Sequence, residues 1–386
     1  MNDSERSAWI RLALTPYVGA ESFLALIQHF GSAQAALAAP VGTVAKLVRH
    51  KQALAAWEGK SHQAETAMEA ALAWEQQQNC RLMLLCDSDF PIMLTEGITP
   101  PPLLFLRGWA ELLHQPSVAI VGSRHATPQA MRIAKDFAHA MGENGIVVVS
   151  GMAAGIDSAA HQGALQSKCG TVAVWGTGID RIYPPSNKEL AYRIAETGLI
   201  VSEFPLDTRP LAGNFPRRNR IIAALSQATL VVEAAPESGS LITAKLAAEM
   251  GREVMAVPGS IDNPHSKGCH KLIKEGAKLV ECLDDILQEC PQLLQKSPLP
   301  PYPVNRTQKA ETQQEEKAVP VQTIPQPTDR PSGQPLLAAM GYDPIHPDSL
   351  AQSLNLPAAD IYAQLLELEL DGIVAAMPGG RYQRIK

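Results

Sequence analysis

Ser117-Val-Ala-Ile-Val121 running into Gly122-Ser-Arg-His-Ala-Thr-Pro128, and Gly145-Ile-Val-Val-Val149 running into Ser150-Gly-Met-Ala-Ala-Gly-Ile-Asp-Ser-Ala-Ala-His161, decide the fold. Each joins a short, continuous apolar run to a small-residue turn and then to a helical pattern. A strand that is apolar on both faces belongs in a parallel sheet covered on both sides. The unit recurs at Thr171-Val-Ala-Val174, Leu199-Ile-Val201, Thr229-Leu-Val-Val232 and Glu253-Val-Met-Ala256. The predicted fold is α/β, an extended Rossmann-like, doubly wound and mostly parallel sheet. Arg81-Leu-Met-Leu-Leu85 and Leu103-Leu-Phe-Leu106 bracket Pro100-Pro-Pro102 and extend its edge.

Outward from this core, residues 1–78 read as a small helical domain, sterile-alpha-motif-like or helix-hairpin-helix-like, with Gly19 as the single hairpin glycine. A hairpin turn of that kind presents backbone N–H groups to phosphate, whereas the alternative is a packing or protein-contact module. The sheet domain is assigned to residues 79–290. Residues 291–334, rich in Pro and Gln and poor in large apolar side chains, read as a linker. Residues 335–386 give three helices and a β-hairpin around Pro378-Gly-Gly380, the outline of a winged helix-turn-helix.

With 386 residues the chain is long enough for two or three domains. Its 33 basic and 39 acidic residues leave a net charge of −6, so any nucleic-acid contact has to come from a focused patch. No apolar run is long enough to span a membrane and no leader is apparent, so a cytoplasmic protein is expected. The six cysteines show no CxxC spacing, which predicts neither disulfide nor metal, and no cofactor is expected.

In a doubly wound sheet, ligands bind beyond the carboxyl ends of the strands. Gly122-Ser-Arg124 suits a phosphate, but it is neither a dinucleotide fingerprint nor a P-loop. Gly151 and Gly155 allow close backbone approach. Asp157 and His161 share a helix face and admit either acid–base or ligand chemistry, or a capping carboxylate bonded to a core histidine. Gly176-Thr-Gly178 is chemically mute by itself. Ser238-Gly-Ser240 opens another helix.

The chain's focused positive charge lies in Phe215-Pro-Arg-Arg-Asn-Arg-Ile-Ile222, which places Arg217, Arg218 and Arg220 at a predicted helix start beside an aromatic ring. Arginine with an aromatic reads as phosphate with base. The alternative is pairing with acids such as Glu203 or Glu233.

Val121-Gly-Ser-Arg124, Ser150 to His161, Gly176-Thr-Gly178 with Tyr183-Pro184, Ser202-Glu-Phe-Pro205, Phe215 to Ile222, Ser238-Gly-Ser240 and Val257-Pro-Gly259 together resemble the DNA-processing protein A family. The resemblance implies a non-enzymatic protein that binds single-stranded DNA as a homodimer. It also implies loading of RecA recombinase onto incoming DNA during natural transformation, with displacement of single-strand-binding protein. Carried over by motif, Ser123, Arg124, Gly151, Phe215, Arg217, Arg218, Arg220, Ser238 and Gly239 line the DNA groove. Lys245 is a further candidate, and Asn219 is structural.

Two other readings compete. The same Rossmann variant resembles nucleotide-processing phosphoribohydrolases, but Leu246 stands where their motif carries a glutamate. A duplex-binding regulator would read DNA through Ala358 to Leu370, yet that helix has no Lys or Arg and three acids.

Overall fold

The computed structural model describes residues 1–48, 50–58, 62–295, 334–377 and 379–385, in two compact units, Met1–Ser297 and Pro298–Lys386. Most of the predicted linker lies outside the described residues.

The first unit opens with helices α1 (Asp3–Ala13), α2 (Ala20–Phe30), α3 (Ala33–Ala38), α4 (Val41–Val44), α5 (Lys51–Glu58) and α6 (His62–Glu75). Asn2 caps α1 and Ser32 caps α3 through side-chain oxygens, satisfying backbone N–H groups that a helix start leaves free. Nine strands follow: β1 (Cys80–Leu84), β2 (Leu103–Gly108), β3 (Ser117–Val121), β4 (Val147–Ser150), β5 (Thr171–Trp175), β6 (Leu199–Ser202), β7 (Ala228–Val231), β8 (Glu253–Ala256) and β9 (Lys278–Leu279). Their order is β1-β2-β6-β5-β4-β3-β7-β8-β9. From β6 to β9 all pairs are parallel, while β1 and β2 form the antiparallel edge. The two early strand candidates thus take the edge position, and β9 is a strand the sequence reading did not include.

Between the strands run α7 (Pro128–Glu143), α8 (Ile156–Ala164), α9 (Lys188–Thr197), α10 (Asn214–Ala224), α11 (Gly239–Glu249), α12 (Lys267–Lys274) and, after β9, α13 (Leu283–Glu289). Every residue of β3 to β7 is buried, as continuous apolar runs require. Val118, Ile120, Val148, Leu230 and Met255 join Phe137, Met141 and Ile286 of the flanking helices in one core. A second core runs without a break from Trp9, Phe23 and Leu26 through Leu82 and Phe105 to Trp175 and Ile200, so the helical module and the sheet share their interior. The 3-10 turn Pro291–Leu294 ends the unit, with Leu293 buried.

The chain steps from β3 through β4 and β5 to β6, then returns along α10 to β7 on the other side of β3. Adjacent loops diverge where the winding reverses, so a crevice forms at the carboxyl ends of β3 and β7.

The second unit contains α14 (Gln334–Met340), α15 (Pro347–Leu354), α16 (Ala358–Leu370) and the antiparallel pair β10 (Val374–Met377) and β11 (Arg381–Arg384). Leu336, Met340, Leu350, Ile361, Leu365, Leu368 and Val374 form its core. This is the predicted winged helix.

Candidate nucleic-acid interface

A cleft of about 740 Å³ lies at the reversal point. Gly122, Ser123, Arg124 and His125 line it from the loop after β3, Ala235, Glu237 and Ser238 from the loop after β7, and Gly239 and Ser240 from the start of α11, with Phe215, Arg218 and Asn219 of α10 between them. Backbone bonds tie these loops together: Ser123 N–H donates to Glu233 O (2.7 Å), and Ile156 N–H donates to Ser123 O (3.1 Å).

Phe215 is the aromatic centre. Its ring lies 5.6 Å from that of Tyr183, and the exposed Arg124 guanidinium sits 5.5 Å above it. Room for the ring comes from Gly176, where a Cβ would stand 2.9 Å from Phe215 Cδ1. The turn that reads as mute in the sequence therefore has a seat-forming role.

Helix α10 begins three residues before the first arginine, which turns the three arginines to different surroundings. Arg218 is only 4 % exposed. Its Nη1 donates to the carbonyls of Gly151 and Val174, and its Nε to Asn219 Oδ1 (3.1 Å). A Cβ at Gly151 would come 2.6 Å from this guanidinium, so the glycine is what lets the arginine in. On the other side of the same turn, Asp157 Oδ2 accepts from Gly151 N–H (3.1 Å) and Ala153 N–H (3.3 Å). A buried cation thus holds the Gly151 carbonyl while a buried carboxylate holds the N–H groups of Gly151 and Ala153 in the same turn. Burial lowers the Arg218 pKa to about 10, and burial raises that of Asp157 although Arg218 opposes the rise.

Arg220 pairs with the buried Glu203 carboxylate and donates to Thr99 O (2.9 Å). Burial pushes the Glu203 pKa up against the pull of Arg220 and Arg217. Arg217 is exposed, with its guanidinium 5.4 Å from the Phe204 ring centre. Both Arg217 and Arg220 border a separate cleft of about 750 Å³ between α10 and the α1–α2 hairpin. Glu233, the other anticipated acid, accepts instead from Thr127 N–H (3.1 Å) and Thr127 Oγ1 (2.9 Å) at the start of α7.

The remaining sequence candidates divide in the same way. Ser238 caps α11, its Oγ accepting from Ser240 N–H (3.4 Å), and Gly239 is exposed with open space where a Cβ would be. Both border the Phe215 cleft. Lys245 does not: it lies 3.7 Å from Glu249 and borders a recess between α11 and α12. Asn219, expected to be structural, donates to Gly239 O (3.4 Å) and links α10 to α11.

Asp157 and His161 turn to separate partners. Thr171 Oγ1 donates to Val148 O (2.6 Å), so it accepts from His161 Nδ1 at 2.8 Å and fixes the imidazole as the Nδ1–H tautomer. Burial, with a smaller push from Arg218, lowers the His161 pKa to about 3. The acid and the histidine are each structural, but the bond expected between them is replaced by these two sets of contacts. Among the described residues no group of three His, Cys, Asp or Glu side chains is arranged to hold a metal ion.

Sequence reasoning did not include Tyr183, His125 or His265 among the site residues, yet all three border the cleft. The signal for Tyr183 was an aromatic residue five positions past the glycine turn at a strand's carboxyl end.

Residues 81–291 match the family model of the DNA recombination-mediator protein A, residues 3–56 that of a DprA-like N-terminal HHH domain, and residues 320–380 that of the DprA winged helix domain. Protein Smf of Escherichia coli is 41 % identical over 321 residues, covering 83 % of this chain and 81 % of that one. DNA processing protein DprA of Streptococcus pneumoniae is 47 % identical over 205 residues, covering 53 % and 72 %. The X-ray structure of the pneumococcal protein superposes with a TM-score of 0.63 at 38 % identity, covering 72 % of this chain and 95 % of that one. A Helicobacter pylori DprA, whose structure concerns its single-stranded DNA binding mode, superposes with a TM-score of 0.51 at 29 % identity, covering 56 % and 98 %. With its central domain, both flanking domains and a nearly full-length relative all matched, the chain belongs to the DNA recombination-mediator protein A family, the DprA/Smf proteins.

Proposed function

We propose that the Phe215 cleft binds single-stranded DNA without base selectivity. The observation that carries this reading is the Tyr183–Phe215 aromatic pair overlain by Arg124, beside loops rich in small residues. A base has a π-face to stack on Phe215 or Tyr183 whatever its identity, and Arg124 neutralises the adjoining phosphate. Arg218 also borders the cleft, with Nη1 and Nε committed to the protein. The Helicobacter relative's single-strand binding supports the reading.

On the same reading, the protein acts without catalysis in the cytoplasm as a homodimer. It protects strands entering during natural transformation and loads RecA recombinase onto them in place of single-strand-binding protein. Family membership supports these roles.

The test is fluorescence anisotropy of a labelled oligo-thymidine and its duplex counterpart with the full chain, the Phe215→Ala chain and the Arg124→Ala chain. The expected result is preference for the single strand, with Phe215→Ala costing about 1–3 kcal/mol, the size of one lost base–aromatic stack. Equal affinity for duplex and single strand, or unchanged affinity in a folded Phe215→Ala chain, would overturn the reading.

A further inference from the structure

In a winged helix that reads DNA, the recognition helix lies against phosphates and carries cations for them. Helix α16 carries none. Its charged residues are Asp360, Glu367 and Glu369, and Asp371 follows at its end. Residues 335–386 hold six carboxylates against three bases.

The outer side of α16 is apolar instead. Tyr362, Leu366 and Leu370 are 44 %, 56 % and 81 % exposed, while Ile361, Leu365 and Leu368 face the core. The three exposed residues recur every four positions, so they form one i±4 ridge, about 12 Å long at the helical rise per residue. Ridges of this kind pack into the grooves of another helix. The wing is tied to the last turn of α16 and to the loop before α15: Glu369 accepts from Ala376 N–H (3.3 Å), and the Arg384 guanidinium lies 4.9 Å from the Tyr342 ring centre.

We propose that α16 is the docking ridge for a basic amphipathic helix of a partner protein. Charge complementarity selects this occupant. A duplex would set its phosphates against carboxylates, and a second α16 would set one acidic flank against another. A helix with an apolar stripe bordered by Lys and Arg buries the ridge and pairs its flanks.

The test uses the full chain and a labelled 18-residue helical peptide with a leucine stripe bordered by lysines. Its controls are a scrambled peptide of equal charge and a peptide with the same stripe bordered by glutamates. The expected result is binding of the basic amphipathic peptide alone, weakened at least tenfold in the Leu366→Ser, Leu370→Ser chain. Those side chains point to solvent, and an unchanged melting curve of the double variant confirms that the unit stays folded. Equal binding of the scrambled peptide, or unchanged binding by the double variant, overturns the proposal. Self-association in sedimentation that the double variant abolishes assigns the ridge to a second copy instead. Duplex binding that the double variant abolishes assigns it to nucleic acid.

Discussion

Arg218→Ala removes the guanidinium that holds Gly151 O and Val174 O and that opposes the buried Asp157 carboxylate. Two carbonyls and one buried carboxylate at the floor of the cleft then lose their partner. A buried carbonyl left without its donor costs about 1–3 kcal/mol, so losing both contacts costs on the order of 3–5 kcal/mol. At an unfolding entropy of about 2.1 cal/mol/K per residue, that loss lowers the melting temperature of a unit of this size by roughly 5–8 °C.

The deficit also depends on pH. Asp157 already has a raised pKa, and losing Arg218 raises it further. A carboxyl raised in the folded state stabilises below its unfolded pKa of about 3.9, and that contribution is lost as pH rises through the folded value. Arg218 also helps to hold the His161 pKa down, so its removal eases the acid penalty of that residue. Both effects narrow the gap between variant and parent at acidic pH and widen it toward neutrality. Differential scanning calorimetry of both proteins at pH 4.5 and pH 7 reads this directly. A variant melting within about 1 °C of the parent at pH 7, or a gap that widens on acidification, would refute the buried-clamp account.

Arg124→Ala is expected to weaken single-strand binding and reduce the slope of log affinity against log salt by about 0.7, the share of one phosphate contact, measured by anisotropy across a salt series. Lys245→Ala is expected to leave that affinity unchanged within about 0.5 kcal/mol, because the side chain borders another recess; a large loss would move the DNA path toward α11 and α12. His161, with a folded pKa of about 3, stabilises the fold above its unfolded pKa near 6.5, and that stability falls away as pH drops through the interval. Melting between pH 7 and pH 4 is therefore expected to flatten in His161→Gln, and an equally steep acid loss there would show that other groups set it.

The sheet was legible because strands buried on both faces read as near-continuous apolar runs, as Val118 to Val121 and Val172 to Val174 do. The two edge strands, though not their antiparallel direction, and the winged helix followed from turn residues and helical periodicity. The division of labour among the arginines was not legible, because it depends on where α10 starts. At about 100° per residue, Arg217 and Arg220 fall within 60° of one another, whereas Arg218 points well away from both. A shift of the helix by one residue would exchange anchor and surface residue. Tyr183 and β9 escaped for another reason: a single aromatic after a turn and a two-residue strand carry no periodicity.

The shared interior of α1–α6 and the sheet bears on how far the front of this chain is dispensable. Trp9 Nε1 donates to Pro102 O (2.9 Å), Trp74 meets Phe105 edge to face at 5.5 Å, and Glu75 Oε1 accepts from Leu82 N–H (2.8 Å), filling a hydrogen-bonding position on the outermost strand. Shortening the gene to begin at β1 would bare that strand's flank, an unguarded border where identical molecules add to one another as ribbons. The helices that precede the sheet are in this respect its selvedge, keeping the woven edge from unravelling into its neighbours.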